Sequence, residues 1–201
     1  MEWVLAAYLG TAHTLPTMLV VAQPTAMVKY DRVTFEGRSF SPPVYYGYRV
    51  SLFPSARRPV GIEAEMIHLK VYAADLPQDG ILKSFAMSHG LNLLLTNLAG
   101  RWTLAWSGDV PRVQALARVG IGPTLPHAES NINGIEYGRY EWGGPVSQLS
   151  GALTYRAARR FAVNLEYKLT RTAQSVSVPG GTATGTFVSH HAVVGAAWHS
   201  R

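Results

Sequence analysis

Apolar and polar residues alternate along most of this chain. Between 161 and 171, Phe161, Val163, Leu165, Tyr167 and Leu169 share one face, and Asn164, Glu166, Lys168 and Thr170 share the other. A period of two over ten residues is a β-strand with one apolar and one polar face. Seven of eight extended stretches alternate in this way; the eight span 2–13, 44–54, 61–72, 89–101, 112–126, 145–155, 161–171 and 187–199. The connections at 55–60, 102–111 and 156–160 are short, whereas those at 14–43, 73–88, 127–144 and 172–186 are longer and rich in Gly, Pro, Ser and Thr. An even strand count with one long-looped end and one short-turned end predicts an all-β, eight-stranded antiparallel up-and-down transmembrane β-barrel. It would carry four longer extracellular loops and three short periplasmic turns, with residues 1–201 as a single domain.

The two faces differ as a membrane barrel requires. Tyr46, Tyr48, Val50 and Leu52, Val113, Ala115, Ala117, Val119 and Ile121, and the apolar set at 161–169 form an uncharged face suited to lipid. The opposite face mixes charge with small residues, as in Arg118, Gly120, Gly122 and Thr124. Aromatic residues gather at strand ends: Trp3, Phe53, Trp102, Tyr155, Phe161 and Trp198 at the periplasmic level, and Tyr45, Tyr72, Tyr140, Trp142 and Phe187 at the outer one. Two aromatic girdles are expected where a barrel meets headgroups. A soluble eight-stranded barrel shows the same alternation turned inside out and is the less favoured reading. The alternation slips near Ile67, and a β-bulge there would turn His68, Lys70 and Tyr72 onto the face of Glu63 and Glu65.

Composition supports a barrel rather than helices. Charged residues make up 15% and hydrophobic ones 47%, yet no run reaches the roughly 20 apolar residues of a membrane helix; Leu15 to Ala22 is short and closed by Pro24. There is no cysteine, which excludes disulfides and thiolate metal sites. The net charge of +6 suits an anionic partner. Nucleic acid is not that partner, because the arginines do not share one face. Arg57, Arg58, Arg156, Arg159 and Arg160 lie in short turns, where they either meet lipid phosphates or simply stay solvated. Met1-Glu2-Trp3 runs straight into a strand, so no leader peptide is expected within these residues.

Two groups of residues are chemical candidates. Arg49, Glu63, Glu65, Arg118, Glu166 and Lys168 project into the lumen, where three cations and three anions are expected to pair as a structural plug rather than serve catalysis. Such a narrow interior fills with side chains and does not conduct. Six histidines map to outer strand ends: His13, His68, His89, His127, His190 and His191. The topology brings His68, His89 and His127 near one another, with Lys70, Asn92 and Glu129 close by. His13 and one of the pair His190-His191 form a second cluster or close the ring. Imidazoles and carboxylates on a partly buried rim suit a divalent metal or general acid–base work; the bland alternative is that they sit at headgroup level as amphipathic residues. Ser88-His89 and Ser189-His190 are strand neighbours and point to opposite faces, which argues against Ser–His dyads.

The segments VTFEGRSFSPPVYYGYRV, EAEMIHLKVYA, MSHGLNLLLTNLAGRW, GIGPTLPHAES, YEWGGPVSQLSG, NLEYKLTRT and SHHAVVGAAW resemble, in order, an outer-membrane barrel family that includes lipid A oxidases. The resemblance runs from about Val33 to Trp198. It implies a Gram-negative outer-membrane protein that oxidises the proximal glucosamine of lipid A to 2-aminogluconate with molecular oxygen as co-substrate. With no flavin or nicotinamide motif in the chain, a redox metal such as iron or copper held by the histidines is the economical cofactor. Lys70 and Arg171 would then hold the substrate's remaining phosphate or carboxylate groups. The partners implied are outer-membrane lipid and the outer-membrane assembly machinery, and the protein is expected to be a monomer. Three other readings stand beside this one: a non-catalytic surface barrel serving adhesion or membrane stability, a lipid A deacylase or acyltransferase, and a soluble ligand-binding barrel.

Overall fold

The computed structural model describes residues 1–55, 58–77 and 79–200; Arg57, one of the turn arginines, lies outside them. The described residues form fifteen strands: β1 (Glu2–Thr14), β2 (Thr17–Gln23), β3 (Ala26–Val33), β4 (Phe35–Glu36), β5 (Tyr46–Phe53), β6 (Val60–His68), β7 (Val71–Ala73), β8 (Leu82–Met87), β9 (Leu93–Ser107), β10 (Val110–Pro123), β11 (His127–Ile132), β12 (Ile135–Tyr140), β13 (Pro145–Arg156), β14 (Phe161–Val178) and β15 (Gly181–His199). Eight of them, β1, β5, β6, β9, β10, β13, β14 and β15, pair antiparallel in that order, and β15 returns to β1 from Val4↔His199 to Thr14↔Ser189. That last pairing closes an eight-stranded barrel with no free edge. No helix among the described residues is long and apolar enough to cross a membrane.

Strand parity settles the two faces. Leu5, Leu9, Ile62, Leu98, Val119, Ile121, Leu149 and Leu165 stand exposed on the outside, an apolar belt that water would not solvate well and hydrocarbon would. Inward, the six expected lumen charges form one network. Arg49 pairs with Glu65 at 2.6 Å and Glu166 at 2.8 Å; Arg118 pairs with Glu63 at 2.7 Å and Glu166 at 3.2 Å; Lys168 reaches Glu65 at 2.6 Å and Glu166 at 3.0 Å. Tyr8 Oη, Asn97 Nδ2 and Gln148 Nε2 also donate to Glu65. Gly47 is required beside it, since a Cβ there would lie 2.2 Å from the Tyr8 ring.

A second buried cluster closes the short-turn end, where the alternation pattern alone gave no sign of it. Glu2 pairs with Arg101 at 2.7 Å and Arg156 at 3.1 Å, and lies 3.0 Å from His199 Nδ1. Arg101 also stacks 3.7 Å over the Phe53 ring. A cavity of about 30 Å³, lined in part by Arg49, Glu63, Arg101 and Arg118, separates the two clusters. That is room for about one water, so the tube is blocked rather than open.

The other end departs from the expectation of plain loops. The connection expected at 172–186 is the continuation of β14 and β15, paired up to Val178↔Gly181. The β2–β3 hairpin joins this extension, with Thr182↔Ala22 to Gly185↔Leu19. The loops between β3 and β5, β6 and β9, and β10 and β13 contribute a separate five-stranded sheet in the order β12-β11-β8-β7-β4. Leu19, Val21 and Val33 pack with Phe35, Val71, Leu82, Met87, Ile132 and Phe187 in one apolar core, so the connections fold as a two-layer cap. Leu15 to Ala22, the nearest thing to an apolar run, supplies part of that core.

Three local expectations are corrected. The slip near Ile67 is not a bulge: β5–β6 pairing stays in register from Tyr46↔His68 to Leu52↔Ile62. The chain instead leaves the barrel after His68 and enters the cap sheet at Val71. Among the barrel pairings the register shifts at Pro111–Gln114, where Pro111 lacks the N–H a ladder needs. The short turn expected at 102–111 is mostly strand, with Gly108 and Asp109 at its tip. Of the expected girdle residues, Trp3, Trp102, Tyr155 and Phe161 are exposed, but Phe53, Tyr45 and Phe187 are buried at 1–2% exposure. A one-residue difference in parity turns an interfacial aromatic into a core one.

Lys168→Met would leave Glu65 and Glu166 short of a cation in a site where these side chains are 0–2% exposed. The expected cost is about 3–5 kcal/mol, read as a lower urea midpoint for the vesicle-folded protein; an unchanged midpoint would contradict the plug.

The cap has its own acid and alkaline limits. Thr34 donates from its hydroxyl and its backbone N–H to Asp75, at 2.7 and 2.6 Å, which holds the Asp75 carboxyl below its ordinary pKa. Asp79 is held down first by the Ile81 N–H and then by the Tyr30 phenol, against some burial. Burial and that same Asp79 raise Tyr30 to about 12. Depressed carboxyls stabilise above their unfolded pKa and lose this as pH falls; a raised phenol stabilises below its unfolded pKa and loses this as pH rises. Hydrogen exchange in the cap should therefore be flat from about pH 4 to about pH 10, after correction for intrinsic rates, and accelerate outside that window.

Candidate functional site

Three chain segments cross from barrel to cap on one side: 68–70 after β6, 88–92 before β9, and 124–127 after β10. Backbone bonds join them, from Leu91 N–H to Leu69 O at 2.7 Å, Leu125 N–H to Asn92 O at 2.9 Å and His127 N–H to Gly90 O at 3.0 Å. Gly90 takes φ +99°, and a Cβ there would fall 2.4 Å from His68 Nδ1. Glycine is thus required both for the turn and for the approach of His68.

Here His89, His127 and Glu129 converge. Their ligand atoms lie within 4.8 Å of one another. His89 Nδ1 and His127 Nδ1 are 3.3 and 3.2 Å from the same carboxylate oxygen, Oε1 of Glu129. His127 and Glu129 share a strand face because they are two residues apart on β11. The two imidazoles meet edge-on at 4.7 Å between centroids, and Tyr140 packs against His127 at 4.5 Å. His127 Nδ1 is buried and poorly aligned for a hydrogen bond to that oxygen, which leaves it without a partner. His89 is exposed, so the cluster opens to the outside.

The other candidates divide. His68 is buried beneath the cluster, stacked on Tyr46 at 4.8 Å, with Nδ1 2.8 Å from Asn92 Oδ1. Asn92 also donates to Leu125 O at 2.9 Å and to the carbonyls of His89 and Gly90 at 3.3 Å, so it clamps the turn. Lys70 is buried and donates to Ser41 O at 2.9 Å. Burial, and secondarily the nearby Arg38 charge, lowers its pKa. Tyr72, between the cations of Arg38 at 4.2 Å and Lys70 at 5.7 Å, is raised mainly by burial, with Glu129 adding to it.

A single ring of histidines does not form. His191 points into the barrel, where Tyr45 Oη lies 2.9 Å from Nδ1 and Thr170 Oγ1 2.8 Å from Nε2, so both ring nitrogens are occupied. His190, its neighbour, points outward and bonds through Nδ1 to the Tyr167 hydroxyl. His13 lies opposite His190 on the same outer face. Arg171 is not near Lys70: it stands on β14, four strands round the barrel from β6. Tyr72 is expected from the sequence beside His68 and Lys70, but Tyr46, Arg38 and Tyr140 carry no such signal, because strand periodicity does not mark which residues meet at the rim.

The fold is that of the eight-stranded outer-membrane barrels. Outer membrane protein OprG from Pseudomonas aeruginosa superposes with a TM-score of 0.60 at 9% identity, over 98% of this chain and 95% of that one. Neisserial surface protein A gives 0.45 at 9% identity over 98% and 96%, and Ail of Yersinia pestis gives 0.39 at 10% identity over 98% and 97%. No protein-family model and no curated protein matches the chain. These likenesses concern the barrel and not the chemistry at its rim.

The donor set fits a divalent metal, since two imidazoles and one carboxylate converge around an unpartnered buried nitrogen. His89→Ala, His127→Ala and Glu129→Gln are each expected to weaken cobalt(II) binding by the folded protein at least about tenfold, followed by the visible absorption of the bound ion. His191→Asn should leave it unchanged.

Proposed function

We propose that this protein is a non-conducting barrel of a Gram-negative outer membrane that works at its outer rim, where His89, His127 and Glu129 hold a divalent metal. The convergence of those three side chains carries the reading. Two histidines and one carboxylate with open positions are the donor set of non-haem iron(II) oxygen chemistry, which favours iron over copper. The narrower form of the proposal is oxidation of the proximal glucosamine of lipid A, supported by the ordered sequence segments that resemble the barrel family with lipid A oxidases. The belt of exposed apolar residues sets the rim at the height of lipid headgroups, and the lipid A sugars lie at that height.

Oxidising an anomeric carbon needs a free hemiacetal, so the 1-phosphate must be absent from the substrate. Oε1 of Glu129 faces both imidazoles and would be the metal ligand, which leaves Oε2 of this partly exposed carboxylate to take the hydroxyl proton. The C1 hydrogen leaves with the electron pair, molecular oxygen takes up two electrons and two protons to give hydrogen peroxide, and water opens the resulting lactone to the acid, a net gain of one oxygen. Iron bound here would supply the one-electron redox chemistry that this needs. His68 stacked on Tyr46, and Asn92 fastened to three carbonyls, hold the turn that carries His89. Arg38, half exposed, paired with Glu36 at 3.3 Å and stacked on Tyr72, is a cation on the same side that an anionic group on the substrate could draw from Glu36.

A second reading, a non-catalytic surface barrel for adhesion or membrane stability, is favoured by the cap itself. It is a folded two-layer structure with Phe40, Tyr140 and Trp142 exposed at 54–81%, as a partner-binding surface would be.

Mass spectrometry of 1-dephosphorylated lipid A, incubated in air with detergent-folded, iron-loaded protein, separates the two. Oxidation predicts a gain of one oxygen on the proximal sugar, lost without oxygen, after chelation, and in His89→Ala or His127→Ala. An unchanged spectrum with iron and with copper leaves the surface role, and loss of an acyl chain means deacylation.

A further inference from the structure

The wall opposite the histidine–carboxylate cluster carries a second group of polar side chains. Arg171 on β14, His190 on β15 and His13 on β1 belong to three consecutive strands of the closed barrel. All three lie on the outward face: Arg171 and His13 are exposed and His190 partly so. Register sets His13 directly opposite His190. It also pairs Leu169 with His190 and Arg171 with Val188, which makes Arg171 the diagonal neighbour of His190 at about 7–8 Å between backbones.

The chemistry of the group is one-sided. No aspartate or glutamate projects outward from β1, β14 or β15: Glu2 and Glu166 both point inward and are buried. Arg171 makes no ion pair among the described residues. The Tyr167 hydroxyl is bonded to His190 Nδ1. When the phenol donates there, the ring proton is on Nε2 and that nitrogen is a donor. Directly toward the turn end lie Leu9, Leu165, Tyr167 and Val194, each 54–65% exposed. On β14 the outward apolar run of Phe161, Val163, Leu165, Tyr167 and Leu169 gives way at Arg171 to Ala173, Ser175 and Ser177, the level at which a lipid carries its phosphate.

We propose that Arg171, His190 and His13 form a binding site for a phosphate of an outer-leaflet glycolipid, whose acyl chains lie along the strip of Leu9, Leu165, Tyr167 and Val194. The guanidinium grips two phosphate oxygens in a planar fork and the imidazoles add single donors. The site rests on the membrane assignment and is independent of the oxidase reading, since it lies across the barrel from His89 and His127.

Native mass spectrometry of the detergent-folded protein, titrated with bisphosphorylated lipid A or with the same lipid fully dephosphorylated, tests it. One bisphosphorylated molecule should be retained roughly ten times more tightly than the dephosphorylated one. Arg171→Gln should remove that preference, Arg171→Lys keep part of it, and Arg160→Ala at the turn end leave it intact. His190→Asn, which keeps size without the imidazole, gives a second variant should Arg171→Gln fail to fold, and should lower the preference severalfold. Equal retention of the two lipids, or a preference unmoved by both Arg171→Gln and His190→Asn, would overturn the site. Preserved cobalt(II) binding in these variants shows that the rim cluster is a separate matter. A wild-type protein that does not insert into vesicles would overturn the membrane assignment and this site with it.

Discussion

Glu65 accepts hydrogen bonds from Tyr8, Arg49, Lys168, Asn97 and Gln148, so one carboxylate ties its own strand to β1, β5, β14, β9 and β13. Six of the eight barrel strands therefore meet at a single buried group. An isolated carboxylate in that interior would cost several kcal/mol, and only the complete set of donors makes its burial tolerable. The arrangement is all-or-none in character: each member is needed because the others are there. It fixes the register of the strands and fills the tube, and with the Glu2–Arg101–Arg156 cluster below it leaves no path for ions. A barrel built this way must act at its ends or on its outer wall.

That constraint gives the cap its importance. The connections at the outer end gain stability from an apolar core of their own, Leu19, Val21 and Phe35 against Phe187, Leu82 and Met87. A folded cap can hold side chains from distant segments at fixed separations, which open loops cannot do. His89 arrives from the turn before β9 and His127 from the start of β11. Their meeting depends on three backbone hydrogen bonds between crossing segments and on Gly90 admitting His68 beside them.

How much of this is legible in sequence follows from what periodicity encodes. A two-residue period reports which face a strand residue takes, and so the lumen charges, the apolar belt and the strand order are readable from Arg49, Glu166, Lys168 and their outward neighbours. It does not report where a strand ends. β14 runs on past 171 and β15 begins well before 187 because the cap supplies a second apolar environment, and the first stop signal after 171 is Pro179-Gly180, where the hairpin turns. Parity also explains the histidines. His190 and His191 are adjacent and so take opposite faces; one enters the barrel against Tyr45 and Thr170, and the other meets His13 outside. Of the two arrangements expected for His13, a second cluster or a closed ring, the register gives the pairing with His190, and the triplet of His89, His127 and Glu129 forms because one cap strand, β11, carries two of its members.

The same parity argument separates two kinds of polar residue on this barrel. A charge turned inward must be matched by other charges, as Lys168 is, because nothing else in the lumen solvates it. One turned outward within the belt would face hydrocarbon, and none of the strands β1, β14 and β15 has one there. The first outward cation on β14 is Arg171, at the point where the apolar residues stop. Its position is set by the thickness of the phase around the barrel rather than by any partner within the chain. A guanidinium held at that boundary, with His190 and His13 on the next two strands and no ion pair among the described residues, has its complement in the phosphate layer of the membrane. The inner network and the outer basic group are thus two answers to one problem, the solvation of charge on a wall one residue thick.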